Sequence, residues 1–259
     1  MRTLLTALVF LFLLPLTAQV KVETVEYREG ETVLQGYLAY DASRTGKRPA
    51  VLVVHDWMGV TEKTKARAEQ LAALGYVALT ADIYGKGVRP SNRQEASAEA
   101  GKHYRDRQLF RKRLRAGLDH LAAQTLTDAS QLAVIGYCFG GAGALELARS
   151  GAPVKGVVSF HGSLNTPTPA DAKNISGKVL VLHGADDPVV PPEEVNAFIK
   201  EMRDAGVDWQ MIHYGNAVHS FTDRSAGNDN SRGAAYNEAA DRRSWEAMKD
   251  FFAEIFRSE

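Results

Sequence analysis

The stretch Gly136-Tyr137-Cys138-Phe139-Gly140-Gly141, set directly after the apolar run Leu132-Ala133-Val134-Ile135, constrains this chain more than any other. Glycines two before and two after a cysteine let a strand turn sharply into a helix, because a Cβ at either place would collide with neighbouring backbone. The apex side chain is left exposed, as in the G-x-S-x-G turns that present a nucleophile, with sulfur here in place of oxygen. A lone cysteine is often an inert small hydrophobe, so the turn by itself does not assign a reactive thiol.

Downstream, Lys178-Val179-Leu180-Val181-Leu182-His183 reads as a buried strand running into Gly184-Ala185-Asp186-Asp187-Pro188. An acid on a proline-pinned loop just past a strand end is placed to orient a histidine. That histidine comes later, in Val218-His219-Ser220-Phe221, after the strand-like Trp209–Tyr214 and a Gly-Asn turn. Nucleophile, acid, histidine is a chain order distinct from those of the chymotrypsin and subtilisin folds. Asp186 and His213 are rivals for the last two places. His213 lies inside the apparent strand, whereas a base needs a loop, and Pro188 directly follows Asp187 rather than Asp186.

Around these segments strands and helices alternate. Val20 to Arg28 and Thr32 to Tyr40 form an edge hairpin about Glu29-Gly30-Glu31. Ala50–Val54, Tyr76–Ala81, Leu132–Ile135, Val154–Phe160, Val179–His183 and Trp209–Tyr214 are further strands. Helices are expected over Thr61–Leu74, over Ser91–Gln124 as a pair joined near Gly101 or Lys102, over Gly140–Arg149, Pro192–Ala205 and Asn237–Phe256. The fold class is α/β: a mostly parallel central sheet with an antiparallel N-terminal edge and helices on both faces. Ligands of such sheets bind beyond the carboxyl ends of the strands, where Cys138, Asp187 and His219 all fall.

With these motifs in place, the chain resembles the dienelactone hydrolase family, a cysteine-dependent branch with the α/β-hydrolase fold. The likeness runs from about Tyr37 to the C-terminal helix and rests on the elbow, Val53-Val54-His55-Asp56-Trp57-Met58-Gly59, Ala81-Asp82-Ile83-Tyr84-Gly85, the Asp187 loop and His219-Ser220-Phe221. It implies Cys138 as nucleophile, His219 as base and Asp187 as the group that orients it. The oxyanion would be held by the N–H groups of Phe139 and Trp57. The family carries a glutamate where Asp56 stands, held against the resting thiol; Asp56 either tunes Cys138 in the same way or is a structural acid at a strand end. Family enzymes clamp a substrate carboxylate with two arginines, at positions that here hold Lys86 and Asp223, with Arg224 one residue late. Tyr84, Lys86 and Arg224 are therefore the substrate-binding candidates, and the departure points to an ester or lactone other than dienelactone. The activity implied is cofactor-free hydrolysis of a small ester or lactone through an acyl-thioester. Alternatives are a hydrolase of larger acyl or thioester substrates and a non-catalytic binding relative.

At 259 residues the chain suits one large domain, expected over 19–259. Lysine plus arginine equals aspartate plus glutamate, 31 each, which gives no reason to expect a nucleic-acid partner. Met1-Arg2-Thr3 followed by the apolar Leu4–Leu14 and Pro15-Leu16-Thr17-Ala18 reads as a signal peptide over 1–18, cut near Ala18-Gln19. A secreted or periplasmic location without stable membrane insertion is the corresponding expectation. No cluster has metal-ligand spacing and no glycine-rich phosphate loop is present. His103 and His120 sit in a charged helical stretch and read as solvated, while His55, His161 and His183 end strands on the active-site side. The polar tract Ser225–Gly233 reads as a surface loop rather than a lid.

Overall fold

The structure is a computed structural model that describes residues 18–257. The basic and apolar opening on which the expected leader falls lies outside the described residues. The chain begins with the hairpin β1 (Val20–Glu29) and β2 (Thr32–Asp41), then β3 (Arg48–Val54), α1 (Glu62–Ala73) and β4 (Val77–Ala81). Next come two helices, α2 (Arg93–Arg105) and α3 (Arg107–Ala122), before β5 (Thr127–Tyr137), α4 (Phe139–Arg149) and β6 (Gly156–Phe160). The remainder is β7 (Lys178–Gly184), α5 (Pro192–Ala205), β8 (Trp209–Tyr214) and α6 (Glu238–Ile255).

These strands form one eight-stranded sheet in the order β1-β2-β4-β3-β5-β6-β7-β8. β2 runs antiparallel to both β1 and β4, and every other pairing is parallel. The fully apolar centre of β3 has the composition of a strand covered on both faces, and its side chains divide by parity. Ala50, Leu52 and Val54 enter one core with Phe110 and Leu114 of α3, Leu145 of α4 and Phe198 of α5. Val51 and Val53 enter the other, with Leu71 of α1 and Met248 and Phe252 of α6. Each of these buried valine, leucine, phenylalanine and methionine side chains contributes roughly 1.5–3 kcal/mol of transfer free energy.

Two expectations are corrected. The break between α2 and α3 falls at Asp106, not near Gly101 or Lys102, because Asp106 accepts the Leu109 N–H and caps the second helix. His103 is not solvated. Ala96, Ala100 and His103 share one buried face of α2, and the imidazole is packed among Tyr84, Phe110 and Phe139.

A buried ion network ties the helices of that layer together. Arg149 of α4 is fully buried and grips Glu201 of α5 with two bonds of 2.8 Å. It also reaches Glu146 at 3.1 Å, whose other oxygen accepts from Arg111 of α3 at 2.9 Å. Arg111 continues to Asp171 at 2.6 Å. Partners on both sides of each charge offset the cost of removing these groups from water.

Candidate active site

The site starts from the close approach of α4 to the sheet. A Cβ on Gly136 would lie 1.9 Å from the Gly140 carbonyl oxygen, and one on Gly140 would lie 2.3 Å from that of Val54. Only glycine permits the helix to leave the strand there. Between them Cys138 takes φ 53° and ψ −114°, a conformation that costs a side-chain-bearing residue roughly 1–3 kcal/mol. Its N–H donates to the Phe160 carbonyl at 3.0 Å, which fixes the apex to β6.

Three side chains from three loops meet at this apex. His219 Nε2 stands 3.1 Å from Cys138 Sγ, and His219 Nδ1 lies 2.9 Å from Asp187 Oδ2. The other oxygen of Asp187 accepts the Val189 N–H at 2.8 Å, so the carboxylate is held from both ends. Ser220 follows His219 with φ 59°, and the His219 carbonyl accepts the Ala235 N–H, pinning the loop. Burial of the ring opposes protonation of His219. The adjacent Cys138 sulfur and Asp187 carboxylate outweigh it and push the imidazole up to about 10. The rivals stand apart, since Asp186 is exposed and His213 is exposed on the edge strand beside His183.

The sulfur opens onto a cavity of about 530 Å³ walled by α1, the loop after β3 and the loop after β8. Trp57, Asp56 and Arg224 line it. Among the described residues, neither the Trp57 nor the Phe139 N–H donates to another protein group. Asp56 Oδ1 accepts the Met58 N–H at 2.7 Å, which shapes the turn after β3, and burial raises its carboxyl above the usual range. The other two candidates do not reach the wall. Tyr84 donates its hydroxyl to the Trp57 carbonyl at 3.0 Å and so supports the loop from beneath. Lys86 is half exposed and pairs with Glu26 of β1 at 2.7 Å.

The same loop is braced by His55. Its Nε2 accepts the Ile83 N–H, so Nδ1 carries the proton and donates to the Asp56 carbonyl. On the opposite wall His161 Nε2 pairs with Thr222 Oγ1 at 2.8 Å, and its ring meets that of His219 edge-on at 5.3 Å. Burial drives His161 well below the ordinary histidine range, with the neighbouring His219 acting in the same direction. The Ser225–Gly233 tract folds as two single turns, Arg224–Ala226 and Asn230–Arg232, capped by Asp223 and Asp229. Only its first residue lines the cavity.

Sequence reasoning missed Lys63, Arg67 and Gln70, which put α1 on the cavity wall. Their i, i+4, i+7 spacing beside the buried stripe Thr64, Ala68, Leu71 is a helical-face signal that marks residues bordering a core.

Comparison with known proteins agrees with this architecture. The profile of the dienelactone hydrolase family matches residues 34–256. A putative carboxymethylenebutenolidase of Yersinia pestis is 29% identical over 235 residues, covering 85% of this chain and 84% of that protein. The crystal structure of P91, a dienelactone hydrolase-like promiscuous phosphotriesterase from metagenomic libraries, is 42% identical with a TM-score of 0.87, covering 92% of this chain and 99% of its own. A putative dienelactone hydrolase from Klebsiella pneumoniae, at 23% identity and TM-score 0.77 over 91% of this chain and 99% of its own, shares the α/β-hydrolase fold. With the profile spanning both the elbow and the histidine loop, the chain belongs to the dienelactone hydrolase family.

Proposed function

We propose that this chain is a cysteine-dependent hydrolase of small carboxylic esters or lactones. The observation that carries the reading is the unbroken row from Cys138 Sγ through His219 to Asp187, with gaps of 3.1 and 2.9 Å. In the first step the sulfur, its proton accepted by His219 Nε2, attacks the substrate carbonyl carbon and the π electrons move to oxygen. The resulting oxyanion is held by the Phe139 and Trp57 N–H groups; a donor in such a position typically lowers the barrier by roughly 3 kcal/mol. Collapse breaks the carbon–oxygen ester bond, and the imidazolium returns its proton to the leaving alkoxide. Water, deprotonated by His219, then cleaves the thioester, releasing the acid and restoring the sulfur. Asp187 stays ionised throughout and stabilises the imidazolium.

The test is hydrolysis of a short nitrophenyl ester by the wild type, Cys138→Ala and Cys138→Ser. Loss of turnover in Cys138→Ala supports the reading, and an unchanged rate in that variant removes it.

A second reading is favoured by the 42% identity to a protein described as a promiscuous phosphotriesterase. The same sulfur attacking a phosphotriester phosphorus would expel an aryloxide. Release of nitrophenol from a dialkyl nitrophenyl phosphate, lost in Cys138→Ala, tests it.

We also propose export, on the basic start and apolar run of residues 2–14. N-terminal sequencing of the protein from a periplasmic extract tests it: a start near Gln19 supports export, and an intact Met1 opposes it.

A further inference from the structure

The cations on the wall of the Cys138 cavity are already matched by carboxylates of this chain, except for the exposed Arg224. Lys63 Nζ donates to Asp223 Oδ2 at 2.7 Å and to Ser225 Oγ at 2.8 Å. One turn along α1, Arg67 donates to Asp241 Oδ1 and to the Thr222 carbonyl, both at 3.2 Å. Its guanidinium also lies 5.3 Å from the ring of Tyr137 and 5.5 Å from that of Trp245. Arg224 is exposed and rests on Tyr236. The third carboxylate, Asp56, is paired with no lysine or arginine among the described residues. Three cations and three carboxylates therefore leave the wall formally neutral, with Asp56 and the exposed Arg224 as the unpaired members.

A carboxylate entering this space would give up its hydration, find among the wall cations only the exposed Arg224 unpaired, and face Asp56. Uncompensated desolvation of a charge is expensive, and a like charge in the site discriminates further. An uncharged ester meets neither penalty.

From this arrangement we propose that the cavity selects uncharged esters and lactones over carboxylate-bearing ones, because Lys63 and Arg67 on its wall are already paired with Asp223 and Asp241. The selection rests on Cys138 being the nucleophile of the proposed hydrolase, and it is tested in two ways. The first is alkylation of Cys138 by neutral iodoacetamide and anionic iodoacetate, each rate divided by that for glutathione. The corrected preference for iodoacetamide is expected to be at least tenfold. Asp223→Asn, which keeps an amide oxygen able to cap its turn, and Asp241→Asn should each narrow it at least threefold by freeing a cation. Equal corrected rates, or faster iodoacetate, overturn the proposal.

The second test compares two nitrophenyl esters of one dicarboxylic acid, with the far end either a methyl ester or a free acid. A tenfold higher kcat/KM for the methyl ester is expected, and equal turnover of both overturns the selection while leaving the hydrolase reading intact. If neither ester is cleaved, the hydrolase reading fails while the alkylation ratio still decides the selection.

Discussion

His219 Nε2 lies 3.1 Å from Cys138 Sγ although 81 residues of chain separate the two, and the 2.9 Å contact of His219 Nδ1 with Asp187 fixes which nitrogen faces the sulfur. In the mechanism proposed above, the imidazolium is the proton donor to the leaving group. Its position near 10 in the free protein therefore sets an alkaline limit: kcat/KM should hold through neutral pH and fall as pH rises through about 10. Asp187→Asn removes one of the charges that raise the imidazole, so the limb should move to lower pH. Turnover should also drop roughly 10⁴-fold, as for the same amide replacement in a serine-protease triad. A kcat/KM–pH profile of both proteins checks this, and a limb that stays in place contradicts it.

Gly140→Ala puts a methyl 2.3 Å from the Val54 carbonyl oxygen, against backbone that cannot swing away. The expected cost is about 3 kcal/mol, at the upper end for overpacking. Urea unfolding of the variant measures it, and a loss below about 1 kcal/mol is inconsistent with so tight an approach.

His103 gives a pH dependence of opposite origin. Burial lowers its pKa to about 4, with the nearby His55 acting the same way. The stability gained from keeping the imidazole neutral is present above the unfolded value near 6.5 and is lost as pH falls toward 4. At pH 5 the loss is about 2 kcal/mol relative to pH 7.5. Urea midpoints at the two pH values should therefore diverge less in His103→Phe than in the wild type. Equal divergence would place the acid sensitivity elsewhere.

Arg149→Met leaves Glu146 and Glu201 buried without their shared partner. Removing one member of such a network typically costs roughly 3–5 kcal/mol. Calorimetry of the variant should show a thermal midpoint lowered by several degrees, and an unchanged midpoint would mean the charges find other partners.

Much of this architecture is legible from residues alone. Ala50–Val54 and Leu132–Ile135 announce buried parallel strands through unbroken apolar runs, and glycine spacing announces the turn at Cys138. Asp187 separates from Asp186, and His219 from His213, by burial that loop chemistry anticipates. The side of a helix that faces the core is harder to read when its residues are polar. Arg149 and Glu146 look like surface charges until α5 supplies Glu201, 52 residues further on. His103 sits among Glu99, Lys102 and Arg105, and only the Ala96–Ala100–His103 spacing gives its burial away. Lys86 matches a family position in the sequence, yet β1 places Glu26 beside it and the charge is used outside the cavity.

The most direct measurement of the Cys138 mechanism is the mass of the protein during turnover of a slowly released acyl ester, quenched in acid and mapped by peptide. The expected result is one acyl group added to the peptide bearing Cys138, released by hydroxylamine and accumulating further in Asp187→Asn. Steady turnover with no acyl group on that peptide, or with the group on another residue, would contradict the mechanism.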